Sequence, residues 1–188
     1  MNSDGIVLAC IDALESIHIP YMVVGSLSSN LYSIPRSTQD ADFIVELAET
    51  SLTELMGKLG SGFRLDPQLS FESVTATTRH IIDIVDGTFR VELFQLSDDP
   101  HDRERFARRK RIPVLGRDAY APTAEDVIVM KLRWALHAHR RKDRDDVRDI
   151  IAVQGDDALD WDYIHHWCEE HATRKLLDEI RASIPKID

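Results

Sequence analysis

Three observations in this sequence predict an α+β fold with a helical C-terminal lobe. Short β-rich apolar runs and helical patterns are mixed up to about residue 121. Two of the β-rich runs flank Asp86-Gly87, a dipeptide that favours a hairpin turn. Beyond Pro122 only helical patterns remain. This order divides the 188-residue chain into an α+β domain over 1–121 and a helical lobe over 122–188.

Each element has its own signal. Ser3 or Asp4 is placed to cap a first helix, in which Val7, Leu8, Ile11, Leu14 and Ile17 recur at helical spacing, and Pro20 ends it. Tyr21, Met22, Val23 and Val24 read as a short buried strand that stops at Gly25-Ser26. A short helix is expected over 26–32 and a loop over 33–38. Residues 40–47 read as a strand, with Asp40, Asp42 and Ile44 on one face and Ala41, Phe43 and Val45 on the other. A helix over 49–59 is broken by Gly60 and Gly62. The hairpin runs are 79–85 and 88–96, a helix covers 102–111, and 112–115 forms an edge strand. Thr123, followed by Glu125 and Asp126, starts the helix that carries Val127, Met130, Lys131, Trp134 and Leu136. Further helices are expected over 143–153, 160–171 and 173–183.

With 43% hydrophobic and 30% charged residues, 8 Gly and 7 Pro, the composition is that of a globular protein, not of a disordered or collagen-like chain. No apolar run is long enough to span a membrane, and the opening segment has no basic region of the signal-peptide kind, so a cytoplasmic protein is expected. Cys10 and Cys168 are too few and too separated for a disulfide framework or a zinc site. The net charge of −10 argues against bulk nucleic-acid binding. Its distribution is uneven: residues 103–148 hold 14 of the 23 Lys and Arg against 7 acids, a local +7 in a remainder of −17. Such a segment suits a phosphate-bearing ligand, or else a pair of solvated helix faces.

The chemistry concentrates in Val24-Gly25-Ser26 and Asp40-Ala41-Asp42. Glycine after a buried strand lets the chain turn sharply, and the N–H groups that follow, with the Ser26 hydroxyl, suit a phosphate. Two aspartates at i and i+2 of one strand point the same way, an arrangement that is costly without a cation. Hard carboxylate oxygens of this kind suit Mg²⁺ held together with substrate phosphates. Glu92, between the apolar Val91 and Leu93, supplies a third carboxylate from a neighbouring strand. Neither His137 with His139 nor His165 with His166 shares a helix face in the way a metal site needs. Trp134, Trp161 and Trp167 read as packing for the helical lobe.

The string Gly25-Ser26, then Arg36-Ser37-Thr38-Gln39-Asp40-Ala41-Asp42-Phe43, resembles the signature of the nucleotidyltransferase (DNA polymerase β-like) superfamily. Its form is similar to that of the abortive-infection (AbiEii-type) toxins and related small bacterial nucleotidyltransferases. The hairpin around Asp86-Gly87, the Pro122-to-Leu132 helix start, and the Lys142-to-Val147 and Leu159-to-Ile164 stretches extend the resemblance over about residues 20–170. The third acid in this family is usually aspartate, and here it is Glu92, with Asp83 on the partner strand as a substitute that fits the motif less well.

The resemblance implies a nucleotidyltransferase-like mixed sheet with flanking helices and an Mg²⁺-dependent transfer of a nucleoside monophosphate from an NTP to a hydroxyl acceptor. Asp40, Asp42 and Glu92 would be the catalytic, metal-binding acids. Gly25, Ser26, Arg36 and Lys131 would bind the nucleotide, with Arg36 either touching phosphate or ordering its loop. Lys142, Asp143 and Asp146 would support them, the two acids orienting Lys131 or Lys142. The acceptor is an RNA, a protein or a small molecule, and the abortive-infection likeness adds a toxin-like role with an antitoxin or a second copy as partner. The competing expectation is a non-catalytic nucleotide- or partner-binding module whose site has degenerated through Glu92.

Overall fold

Asn2, one residue earlier than expected, caps the first helix. In the computed structural model, which describes residues 1–48, 51–138 and 140–185, its side chain accepts the Gly5 N–H at 3.0 Å at the start of α1 (Ser3–Ser16). Then come β1 (Tyr21–Val24), α2 (Gly25–Asn30) and β2 (Asp40–Val45). Next in the chain are α3 (Ser51–Leu59), β3 (Phe63–Leu65), β4 (Ser70–Glu72), β5 (Thr77–Ile84) and β6 (Arg90–Gln95). The helix expected from residue 49 begins, among the described residues, at Ser51; Glu49 and Thr50 lie outside them. The short strands β3 and β4 escaped the sequence reading because three residues are too few to show a period.

These strands form a six-stranded mixed sheet in the order β1-β2-β6-β5-β3, with β4 also pairing to β5. β2 and β6 run parallel, with Asp42 opposite Glu92 and Asp40 opposite Arg90, and the other pairs are antiparallel. The β5–β6 ladder ends at Asp83 opposite Arg90, short of a two-residue hairpin. A turn on Asp86-Gly87 needs positive φ at both positions. Here only Asp86 adopts it (φ 61°), and the Gly87 N–H closes a turn one residue earlier, onto the Ile84 carbonyl at 3.1 Å.

After the sheet, α4 (Pro100–Arg108) starts two residues before expectation, because the Asp99 side chain accepts the Asp102 N–H and Pro100 takes the first turn. The expected edge strand is half of a hairpin, β7 (Lys110–Val114) with β8 (Arg117–Ala121). Leu115 (φ 52°) and Gly116 (φ 79°) both lie in the left-handed region, and Val114 faces Arg117 across this two-residue turn. The last helices are α5 (Ala124–Ala138), α6 (Arg141–Gln154), α7 (Trp161–Glu170) and α8 (Arg174–Ala182).

The chain folds as two compact units, one of Met1–Leu27 with Ser37–Pro122 and one of Ser28–Arg36 with the residues from Thr123 onward. The sequence division at 121/122 therefore differs by the excursion 28–36, which is tied into the helical unit. Gln154 donates to the Tyr32 carbonyl at 2.8 Å, and Ser29 donates to Asp146 at 3.4 Å. In the sheet unit Ile11, Leu14, Met22, Phe43, Leu55, Ile82 and Leu93 are buried. In the helical unit the core is built on Ile128, Leu132, Val147, Ile150, Ile164 and Leu177. Trp167 belongs to that core and Trp161 packs against it. Trp134 departs from the packing expectation: it is half-buried, with the Arg140 guanidinium 5.0 Å from its ring centre. No helix among the described residues is long and apolar enough to cross a membrane. His139 lies outside the described residues.

Candidate active site

The central feature of the sheet unit is the contact between the β1–α2 turn and β2. Gly25 has φ 64°, and a Cβ there would fall 1.8 Å from Asp42 Oδ2. Only glycine lets the backbone lie this close to the carboxylate. Ser26, next in the chain, is buried. Gly25→Ala is therefore expected to lower stability by about 1–3 kcal/mol, seen as a fall in Tm of roughly 2–12 °C, and to push Asp42 out of place.

The sheet register puts three carboxylates on one face. Asp40 and Asp42 alternate with the buried Ala41 and Phe43 along β2, and Glu92 lies directly across from Asp42 on β6. Asp83 shares this face but is not opposite the acid pair: Ile81 is opposite Glu92, and Asp83 is two residues further along β5, opposite Arg90. Asp40 accepts the Thr38 hydroxyl at 2.7 Å, which fixes one oxygen of its carboxylate. Glu92 is held by Arg79 of β5, whose Nη1 lies 2.6 Å from Oε2. Arg79 in turn lies over the Phe94 ring at 5.7 Å. Thr38 belongs to the Arg36-to-Phe43 string, whereas Arg79 has no place in any motif of the sequence. The signal for Arg79 is its diagonal relation to Glu92 across the β5–β6 ladder, which requires the register.

Among the described residues no three His, Cys, Asp or Glu side chains stand grouped ready to hold a metal. The donor chemistry nonetheless fits a hard divalent cation, since Asp40, Asp42 and Glu92 offer only carboxylate oxygens from adjacent positions on one sheet face. Arg79 supplies the positive charge that Glu92 needs in its half-buried setting.

In the helical unit the predicted residues are brought together differently. Lys131 is buried on α5, and its Nζ lies 2.9 Å from Asp143 Oδ1 and 2.7 Å from Asp146 Oδ2, both on α6. The i, i+3 spacing puts the two carboxylates on one helix face, where they clasp the ammonium. Arg36 meets Asp146 in a bidentate pair, Nε to Oδ1 at 3.0 Å and Nη2 to Oδ2 at 2.9 Å. The Asn30 side chain brackets the Arg36 backbone, donating to its carbonyl at 2.8 Å and accepting its N–H at 3.1 Å. Burial pushes the Asp146 carboxyl up, but the Arg36 hydrogen bond and the Lys131 charge outweigh it and hold the carboxyl below its ordinary value. Lys131 is thus engaged by two carboxylates, with which a triphosphate would have to compete. Arg36 ties its own loop to Asp146 of α6. Lys142 is exposed, and Asp143 turns to Lys131 instead.

The basic segment is also reinterpreted. Arg103, Arg105, Arg111, Arg117, Lys131, Arg144 and Arg148 are all paired with acids of the chain. Arg105 is buried against Asp102, which also accepts the Ser97 hydroxyl at 2.6 Å. The local +7 therefore serves intramolecular pairing to a large extent and gives little support to a phosphate-bearing acceptor.

Solved structures share this fold. The antibiotic-resistance factor ANT(2'')-Ia superposes with a TM-score of 0.62 at 13% identity, over 95% of this chain and 96% of that one. It has also been solved in complex with adenylyl-2''-tobramycin (TM-score 0.61, 13% identity, 93% and 99% coverage). The antigenic nucleotidyltransferase-like protein from Paracoccidioides brasiliensis matches with a TM-score of 0.53 at 20% identity, over 100% of this chain and 96% of that one. Comparison with curated proteins gave no match. Residues 9–184 match the family described as "Nucleotidyltransferase of unknown function (DUF6036)", and the chain, with its mixed sheet and its acids in register on β2 and β6, belongs to that nucleotidyltransferase family.

Proposed function

We propose that this enzyme is an Mg²⁺-dependent, cytoplasmic nucleotidyltransferase that moves a nucleoside monophosphate from an NTP to a hydroxyl acceptor. The observation that carries the reading is the register of Asp42 against Glu92, with Asp40 two residues away and Gly25 pressed onto Asp42. Asp40, Asp42 and Glu92 would hold Mg²⁺, which when bound neutralises phosphate charge and polarises the reacting oxygens. Gly25 and Ser26 take the phosphates in this reading. Arg36 and Lys131 act through Asp146, as positioning residues for the segment that follows Ser26 in the chain. The acceptor oxygen bonds to the α-phosphorus, its proton passes to Glu92, and the bond to the β-phosphate oxygen breaks to release pyrophosphate. Glu92 exchanges its Arg79 partner for this role, and Arg79 balances its charge between turnovers.

The test is incubation with labelled NTPs, Mg²⁺ and a cell extract, followed by identification of the labelled molecule. Labelled RNA or protein supports a toxin-like role with an antitoxin partner, whereas a labelled small molecule points to a metabolite- or drug-modifying role. In the same assay Glu92→Gln is expected to abolish most pyrophosphate release, and Glu92→Asp to preserve it. A neutral amide neither binds the cation well nor accepts the proton, whereas aspartate keeps both capacities. If wild type and both variants bind NTP without releasing pyrophosphate, the chain is a binding module with a degenerate site.

A further inference from the structure

The face that carries Asp40 continues outward as a row of alternating charge. Asp40 lies opposite Arg90, Arg90 opposite Asp83, and Asp83 opposite Arg64, so one register line crosses β2, β6, β5 and β3 with signs −, +, −, +. Directly opposed residues share a sheet face. All four, together with Glu92 and Phe89, line one cleft of about 580 Å³. The cleft thus begins at two of the proposed catalytic acids and extends along the sheet away from β1.

Within this row Arg90 is the exposed cation nearest to Asp40 in register. It uses Nε for Asp83, at 3.1 Å, and its side chain is 59% exposed. Arg64 reaches the other Asp83 oxygen at 3.6 Å and is 74% exposed. Asp83 pairs with both guanidinium groups, and among the described residues the side-chain hydrogen bond of Arg90 is made through Nε, not through its terminal nitrogens. That pair of N–H donors forms a planar fork, the geometry that suits a carboxylate or a phosphate.

We propose that this cleft is the acceptor subsite, and that it selects a hydroxyl compound bearing a carboxylate or phosphate, which Arg90 and Arg64 bind while the hydroxyl faces Asp40 and Glu92. The proposal rests on the transfer reading above and narrows its acceptor. A polycation such as the tobramycin moiety bound by ANT(2'')-Ia would meet Arg90 and Arg64 as like charges. The transfer balances as before: the hydroxyl oxygen bonds to the α-phosphorus, its proton leaves, and pyrophosphate departs.

The test is a titration of the full chain with glycerate, glycerol 3-phosphate, glycerol and tobramycin, read by the NMR signal of the Arg90 side chain and by calorimetry. The expected result is that at least one anionic compound binds roughly tenfold or more tighter than glycerol, and tighter than tobramycin. Glycerate against glycerol 3-phosphate separates a carboxylate from a phosphate preference. Arg90→Gln should weaken that binding about tenfold, while affinity for Mg²⁺ with a non-hydrolysable NTP analogue stays unchanged. Anions no tighter than glycerol, stronger tobramycin binding, or indifference to Arg90→Gln each overturn the proposal. If the wild type fails to bind the NTP analogue, the transfer reading falls, and the anion titration still decides the selectivity of the cleft.

Discussion

Asp42→Asn is expected to reduce pyrophosphate release about a thousandfold or more, equivalent to roughly 4 kcal/mol of lost transition-state stabilisation, with little change in the fold. Asp42 stands at the meeting point of three elements: it shares the β2 face with Asp40, lies opposite Glu92, and is packed against the Gly25 backbone. Asparagine is nearly isosteric, so that packing survives. What changes is the charge that a cation needs and the ability of both terminal atoms to accept. The check is steady-state pyrophosphate release at saturating Mg²⁺, alongside circular dichroism and Tm. A variant that retains full Mg²⁺-dependent activity removes Asp42 from the site and with it the proposed mechanism. An inactive variant that has also unfolded is distinguished by Asp42→Glu, which keeps the charge and crowds the same Gly25 contact.

Sequence reading reached this acid pair because strand period alone puts i and i+2 on one face, and it reached the turn glycine because Gly25 ends the buried run 21–24. It did not reach the partner of Glu92. The Asp86-Gly87 signal implies a pairing in which Asp83 faces Arg90, and that register is the one found. Carried along β5, it puts Arg79 opposite Phe94 and diagonal to Glu92, so the ion pair was implicit in a turn position but not in any local pattern. The charge row from Asp40 to Arg64 was hidden for a stronger reason, because its last member lies on a three-residue strand with no period to detect. In the helical unit the i, i+3 acids were visible, but whether they clasp Lys131 or Lys142 depends on how α5 and α6 pack. Burial settles it: Lys131 is inside and Lys142 outside. The excursion 28–36 reads from sequence as the end of a short helix and a loop within the α+β domain, since nothing local to Arg36 announces a carboxylate 110 residues away.

That carboxylate makes the second large prediction. Lys131→Met is expected to destabilise the protein by about 3–5 kcal/mol, lowering Tm by roughly 6–20 °C. Methionine fills the space of the lysine stem, so the cost is electrostatic: Asp143 and Asp146 are left buried near one another without their shared ammonium. Asp143 Oδ2 already has no hydrogen-bond partner, so that side has no reserve to draw on. Arg36 remains on Asp146, and for this reason Asp143 becomes the less tolerable charge. Adding Asp143→Asn to Lys131→Met should therefore recover part of the loss, an outcome that a pure packing defect would not give. The pH dependence provides a further check. The Asp146 carboxyl sits below its ordinary value of 3.8, so in the wild type its contribution is complete above that pH and is lost as pH falls through the lower folded-state value. Without Lys131 one of the influences holding it down is gone while burial still pushes it up, so protonation becomes easier in the folded variant. The stability gap between wild type and Lys131→Met should then narrow as pH is lowered from neutrality towards 4, measured as the difference in Tm at each pH. A gap that stays constant over that range would mean that the ammonium contributes through packing of its stem and not through the two carboxylates.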